Sequence, residues 1–339
     1  RTTFDPSPFQ MKDMCRAVER IQAAVRNGEP IAIYGDYDVD GVTATALLVQ
    51  TLRALAANVR AYIPNRFDEG YGLNNEALDL LAADGVRLVV SVDCGIRSPD
   101  EAAHARGLGL DLIISDHHHP GEALPPAFAV INPKQPGDEY PDKDLAGVGV
   151  AFKIAQALLD DGPRTTDHVS SSAVGGPSSE FLDSLLDLVA LGTVADLAPL
   201  TGENRRLVRA GLKQMRSTQR QGLFSLANVA GVTLAAVNAT HIGYMLGPRL
   251  NAAGRLESAL AAYELLTTDQ LQVTPIMWAL NSYYRTREQG ERLSRHKALL
   301  EEDLLEKGRV NRELVERLAE QVNTLDRLNQ ELQAAHARL

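Results

Sequence analysis

The sequence predicts an α/β protein: a parallel sheet with helices on both faces, followed by a helical segment and a long C-terminal helix. The sheet rests on short, apolar, β-branched runs that alternate with helix-length segments through the first half of the chain. Such alternation gives parallel strands joined by crossover helices. The tail rests on a helix-prone composition with leucine recurring every seventh residue at Leu318, Leu325, Leu332 and Leu339.

In order, the pattern gives a helix near residues 11–27, the strand IAIYG opened by Pro30, a helix from Gly41 to Ala57 and the strand VRAYIP. A helix over 74–83, the strand RLVVSVD, a helix over 98–106 and the strands LDLIISD and FAVIN follow. From Asp144 to Met215 the pattern is mostly helical, interrupted by the Ser-, Gly- and Pro-dense stretch 161–180, which predicts a flexible surface insertion. Residues 216–260 mix short apolar pieces with glycines, as a connecting segment would. From Ala261 the chain is helix-prone to its end, with Val315, Val322 and Asn329 three positions before the first three leucines of the repeat. Leu314 and Leu328 widen that stripe beyond a two-stranded seam, which favours a tail packed on its own domain over a coiled-coil dimer or a free helix. The expected division is a sheet domain over 1–215, a connector over 216–260 and a helical tail or linker over 261–339.

At 339 residues with 45% hydrophobic content, the chain is long enough for two domains and an ample core. It has no run of about 18 apolar residues and no signal-like start, so the cytoplasm is the expected location and no membrane partner is expected. Cys15 and Cys94 are far apart, which argues against a disulfide framework or a thiolate zinc site. A metal here would have to use oxygen and imidazole. A net charge of −10 argues against broad nucleic-acid binding. It leaves room for a local basic groove, because carboxylates that hold cations inflate the apparent acidity.

The stretch GDYDVDG places Asp36, Asp38 and Asp40 at alternate positions just after the first strand. It resembles the opening of a calcium-binding EF-hand loop, but the twelfth position is Leu47 rather than a bidentate glutamate, and a strand rather than a helix precedes it. The D-x-D-G-x-T nucleophile loop of haloacid-dehalogenase-type phosphatases is a second reading of Asp38, Asp40, Gly41 and Thr43. Two further predicted strands also end in ligand-type residues, LVVSV at Asp93 and LIIS at Asp116, His117, His118 and His119. Parallel order brings these ends to one edge, and open parallel sheets bind ligands there. Singly, Asp36 reads equally as a turn residue, Asp93 as a helix cap before Arg97-Ser98-Pro99, and the histidines as a surface loop. Asp196, after the apolar run LLDLVALGTVADL, is out of place unless paired or coordinated. Carboxylates with one or two imidazoles favour Mn(II) or Mg(II). Two such ions about 3.5 to 4 Å apart suit phosphoester hydrolysis.

GDYDVDG, VSVDCG, SDHH with Pro120, and GTVADLAPL resemble the four successive motifs of the DHH phosphoesterase superfamily. LAGVGVAFKIAQAL and GPRLNAAGRL are similar to its RecJ branch, the 5' to 3' single-strand-specific DNA exonucleases. The resemblance covers about residues 5 to 266, and the haloacid-dehalogenase reading has no use for the Asp-His-His element. It implies a two-ion centre of Mn2+ or Mg2+ on Asp36, Asp38, Asp40, Asp93, His117 and Asp196, with Asp93 bridging the ions. It places His118 beside the scissile phosphate and gives His119 no role, so His119 is expected to face solvent. Asp93 and Asp38 join His118 as the expected catalytic group. Arg66, Arg249 and Arg255 are expected on the substrate's phosphates, and Asn251 is expected first to hold its loop and second to touch substrate. Ion pairing with Asp68 or Glu257 is the alternative use of Arg66 and Arg255.

The implied partner is single-stranded DNA in repair or recombination, with a single-strand-binding protein or a helicase as further candidates. A phosphodiesterase or phosphatase acting on short oligonucleotides or nucleotides shares the four motifs, and a DHH-like scaffold that binds DNA without catalysis is a third reading. The family's glycine-glycine-histidine segment has no counterpart, since the only Gly-Gly is Gly175-Gly176. The chain therefore reads as a fragment or a shortened form.

Overall fold

The computed structural model describes residues 6–64, 72–160, 179–253 and 259–268. A five-stranded parallel sheet runs through the first half, built from β1 (Ile31–Gly35), β2 (Val59–Tyr62), β3 (Leu88–Val92), β4 (Asp111–Ser115) and β5 (Ala129–Ile131) in the order β2-β1-β3-β4-β5. Ile31 pairs with Val59 on one side and Leu88 on the other, Leu88 pairs with Asp111, and Ile113 pairs with Ala129. All five predicted strands are present. Every residue of β1 and β3 is buried, as expected of strands covered on both faces.

Side-chain alternation splits the core in two. Ile31, Ile33, Leu88, Val90, Val92, Ile113 and Ile131 face α1 (Met14–Asn27), α2 (Val39–Ala54) and α5 (Gly147–Leu159). Ala32, Tyr34, Val89, Leu112 and Ile114 face α3 (Asn75–Ala83) and α4 (Pro99–Gly107). The helix α1 buries Met14, Ala17, Val18, Ile21 and Ala24, one face at three- and four-residue spacing, and stops at Gly28 in the left-handed region. The helix α2 is buried at every position from Val39 to Val49, between the sheet and α5, α6 (Ser179–Ala195) and α11 (Leu260–Thr267), and is exposed only in its last turn, at Arg53 and Ala54.

The remaining helices are α7 (Gly202–Met215), α8 (Gln221–Val229), α9 (Ala239–His241) and α10 (Gly247–Ala253), with a π-helical turn over Ile242–Leu246 between the last two. Leu223, Leu226, Ile242, Leu246, Leu250, Leu265 and Leu266 add to the core on the α2 side of the sheet. Two buried polar clamps fasten this layer. Lys153 of α5 pairs with Glu203 of α7, which also accepts from Tyr140 Oη at 2.5 Å. Arg220 reaches Asp187 Oδ2 of α6 at 3.2 Å, Gln50 Oε1 of α2 at 2.9 Å and the Leu266 carbonyl of α11 at 2.9 Å.

Residues 161–178 of the expected insertion, the heptad leucines of the tail, Arg66 and Arg255 lie outside the described residues. No described helix is long and apolar enough to cross a membrane.

The strand order fixes where chemistry can sit. From β1 the chain moves outward to β2, then returns past β1 to β3 and continues to β4 and β5. The connections therefore leave β1 and β3 in opposite directions. That reversal opens a crevice beyond their carboxyl ends, the place where open α/β sheets bind ligands.

Candidate metal centre

Asp36, Asp38 and Asp40 follow β1, and Asp93 follows β3, so four carboxylates stand at the crevice. The spacing after β1 has a local cause. Asp38 Oδ1 caps α2 by accepting from Gly41 N at 2.9 Å, which starts the helix at Val39 rather than at Gly41 as the sequence suggests. Asp40 is thereby carried on the first helical turn, with its carboxylate buried.

A second helix meets Asp40 from the other side. At the start of α5, Gly147 N donates to Asp40 Oδ2 at 2.7 Å and Val148 N donates to Oδ1 at 2.8 Å. This approach requires small residues. A methyl on Gly147 would lie 2.7 to 2.9 Å from three atoms of the Asp93 side chain, and one on Gly192 of α6 would lie 2.8 Å from Asp40 Oδ1. The LAGVGVAFK element thus serves as a backbone donor to the acid cluster, a role its sequence pattern did not announce.

Asp93 is not the cap of α4; Ser98 occupies that position. Asp93 instead sits in the left-handed backbone region at φ 62°, uncommon for a non-glycine residue and found where a site over-determines the chain. His117 Nε2 stands 3.0 Å from Asp93 Oδ1 and 3.9 Å from Asp40 Oδ2, and its Nδ1 stands 3.9 Å from Asp196 Oδ2. Asp196 is the first residue beyond α6, half-buried and joined to Gly192 O through its own N–H. Three overlapping groups result: Asp36, Asp38 and Asp93; Asp93, His117 and His118; and Asp40, His117 and Asp196, each with one ligand-type atom per residue within 4.8 Å of the others. All six residues expected to hold metal are brought together.

Burial, and then the charge of Asp38, pushes Asp36 and Asp40 up to about 7. Asp196 rises to about 6, by burial first and the nearness of Asp40 second. Burial and the surrounding acids hold Asp93 well above the usual carboxylate range, while burial keeps His117 below that of a free imidazole. Such a set resists being charged on its own. Asp93 Oδ1 and His117 Nε2 are both buried, and although 3.0 Å apart neither makes a hydrogen bond. Two orphaned polar atoms facing each other among carboxylates are what a cation would satisfy, so the residues present fit a hard or borderline divalent ion with oxygen and imidazole donors.

Asp116 is the exception among these acids. Its Oδ1 accepts from His117 N at 2.7 Å, His118 N at 3.0 Å and His118 Nδ1 at 2.7 Å, and its Oδ2 accepts from Ile96 N at 2.9 Å. Both of its oxygens accept from protein donors, three of them on Oδ1, and it belongs to none of the three ligand groups. His118 is half-exposed and His119 is exposed, the latter as expected.

On the substrate side, Asn251 Oδ1 accepts from Val39 N at 3.1 Å, which ties α10 to the loop that bears the aspartates. Arg249 Nη1 donates to Met245 O at 2.7 Å, a contact within its own helical segment. Gly247 brings this segment against α6, where an added methyl would stand 3.3 Å from Ala195 Cβ, next to Asp196.

The family described as the DHH family, N-terminal domain, matches residues 30–193. The single-stranded-DNA-specific exonuclease RecJ of Bacillus subtilis is 47% identical over 262 residues, which cover 77% of this chain and 31% of that protein. The protein of the same name from Escherichia coli is 42% identical over 287 residues, covering 83% of this chain and 49% of that one. The chain thus spans between about a third and a half of the length of these curated relatives. Among solved structures, exonuclease RecJ bound to manganese matches with a TM-score of 0.72 at 34% identity, over 85% of this chain and 69% of that one. RecJ in complex with Mn2+ from Thermus thermophilus matches with a TM-score of 0.70 at 32% identity, over 85% of this chain and 40% of that one. With its sheet order, its acids at the crevice and its Asp-His-His turn, the chain belongs to the DHH phosphoesterase family, in the RecJ branch.

Proposed function

We propose that this chain hydrolyses phosphodiester bonds with two divalent cations, Mn2+ or Mg2+, and removes nucleotides from the 5' end of single-stranded DNA. The observation that carries the reading is the convergence of Asp36, Asp38, Asp40, Asp93, His117 and Asp196 at the β1/β3 crevice, with Asp93 Oδ1 and His117 Nε2 left without a hydrogen bond. Its exonuclease and divalent-ion parts are supported by relatives that are single-stranded-DNA-specific exonucleases and by RecJ structures bound to manganese.

Asp36, Asp38 and Asp93 would hold one cation, and Asp40, His117 and Asp196 the other, with Asp93 shared because it joins the first group to His117. When bound, such cations acidify water for attack and neutralise charge that builds up on a phosphate. The protein's own contribution is position. The amino ends of α2 and α5 fix Asp38 and Asp40 through backbone N–H groups, so the ligand spacing is set before substrate arrives. His118, half-exposed beside Asp93, would meet a phosphoryl oxygen and hold or pass a proton there. Arg249, with Arg66 and Arg255, would grip strand phosphates. The amide nitrogen of Asn251 is its end suited to a phosphate, because its oxygen holds Val39.

The test is substrate competition in manganese: 5'-labelled single-stranded DNA, duplex DNA, a dinucleotide and a cyclic dinucleotide are each incubated with the chain. Mononucleotides should leave the 5' end of the single strand and not the duplex, and Asp93→Asn should abolish the release. Faster turnover of the dinucleotide or the cyclic substrate would replace this reading with a phosphodiesterase of short oligonucleotides.

A further inference from the structure

The three acids after β1 and the acid after β3 belong to candidate ligand groups, but Asp116, just after β4, belongs to none and is tied to protein donors instead. It is 1% exposed, and all four of its hydrogen bonds come from the turn it begins and from Ile96. One of those donors is a side chain, His118 Nδ1 at 2.7 Å. An ionised carboxylate can only accept, so the proton in this bond sits on Nδ1. The turn is held from outside as well: Asn132 Nδ2 donates to His118 O at 2.9 Å, and Arg97 Nε donates to His119 O at 2.8 Å. The His118 ring therefore has its orientation and its proton-bearing nitrogen chosen by the protein, and Nε2 is the nitrogen left for a ligand.

We propose that Asp116 is a positioning residue: its carboxylate pins His118 Nδ1 so that Nε2 is presented to the substrate's phosphoryl oxygen. This rests on the phosphodiesterase reading above. It gives the first acid of the Asp-His-His turn a task separate from metal binding.

Two measurements decide the proposal. The first is a double-mutant cycle on single-stranded DNA with Asp116→Asn, His118→Ala and the pair. If Asp116 acts through His118, Asp116→Asn alone should lower kcat by about 100-fold, within the range for a positioned proton-transfer group, with KM changed less than about threefold. In the His118→Ala background the same change should cost less than about threefold, because the partner it positions is gone. Loss of the Ile96 bond is common to both backgrounds and cancels. Equal losses in the two backgrounds, or weaker manganese binding by Asp116→Asn in calorimetry, would overturn the proposal in favour of a role in the fold or the metal site. The second measurement needs no turnover. In magnesium-loaded, 15N-histidine-labelled protein, the signals absent from His118→Ala identify His118; its Nδ1 should carry the proton in the parent and lose its strongly hydrogen-bonded shift in Asp116→Asn. A parent whose His118 Nδ1 bears no proton refutes the proposal. A parent that cleaves no phosphodiester refutes the functional reading and leaves this spectrum to decide the positioning.

Discussion

Replacing Gly147 by alanine should break the acid cluster without touching an acid. The added methyl would lie 2.7 Å from Asp93 Oδ1, 2.8 Å from its Cβ and 2.9 Å from its Cγ. Carbon contacts are comfortable at about 3.5 to 4.0 Å, so a retreat of roughly 1 Å is needed. The Asp93 Cβ is fixed to a strand end, which leaves the start of α5 to move. A retreat of that size would stretch the Gly147 and Val148 N–H bonds to Asp40, now 2.7 and 2.8 Å, past hydrogen-bond range. Overpacking costs about 1–3 kcal/mol, and each bond to a charged acceptor about 1.5–3 kcal/mol when lost. A fall in stability of about 3 kcal/mol is expected, allowing for partial relaxation. Gly149→Ala, two residues along the same helix, is the control. Its methyl would meet Leu145 at an ordinary 3.4 Å, and it should be neutral or slightly stabilising. Urea unfolding and manganese calorimetry of the two variants give the comparison. If Gly147→Ala unfolds at the parent's midpoint and binds manganese as tightly, the claim that α5 must touch Asp40 is wrong.

The metal-free protein should lose stability as pH rises from 5 to 8. Asp36 and Asp40 at about 7 and Asp196 at about 6 bind protons in the folded state that the unfolded chain, with its ordinary value of 3.8, has already released. His117, depressed below 6.5, opposes this with a single group, and His118, raised above 6.5, acts with the acids. Manganese should flatten or reverse the slope, since a bound cation requires charged carboxylates; a melting temperature in EDTA that climbs steadily from pH 5 to 8 would contradict the electrostatic account. Arg220→Ala should cost about 3 kcal/mol in urea unfolding, because it leaves Asp187 buried and charged without its cation; a loss below about 0.5 kcal/mol would show that the clamp is not needed.

The strands were legible because a doubly covered parallel strand writes itself as an unbroken apolar run, as in IAIYG and LVVSV. The candidate metal ligands stood out for a related reason: ligand-type residues at the ends of such runs have few structural uses, and three runs ended in them. The start of α2 was misplaced by two residues, since the sequence pattern does not say that Asp38 caps the helix with the same side chain that faces the crevice. What the local pattern could not contain was partnership at a distance. The bond from Gly147 to Asp40 spans 107 positions and that from Val39 to Asn251 spans 212. Asp116 stood in plain view at the head of its motif. Only the count of donors around it separates a carboxylate spent on the protein from one reserved for a cation.

That count also orders the remaining acids. Asp40 gives one lone pair of each oxygen to α5 and keeps the others, so it can bind a cation while staying fixed. Asp38 commits Oδ1 to its own helix and Asp36 commits Oδ1 to Tyr37 N at 2.7 Å. Asp93 differs, in that no donor among the described residues hydrogen-bonds its carboxylate, although it is 2% exposed. A buried carboxylate with no hydrogen bond is among the costliest groups a fold can hold. Here its backbone is held in the left-handed region as well. Both penalties would be offset if its two oxygens are kept clear for the two cations proposed above. What the protein withholds from Asp93 is thus the support for proposing it as the bridge, whereas Asp40 and Asp116 already have a protein donor on each oxygen.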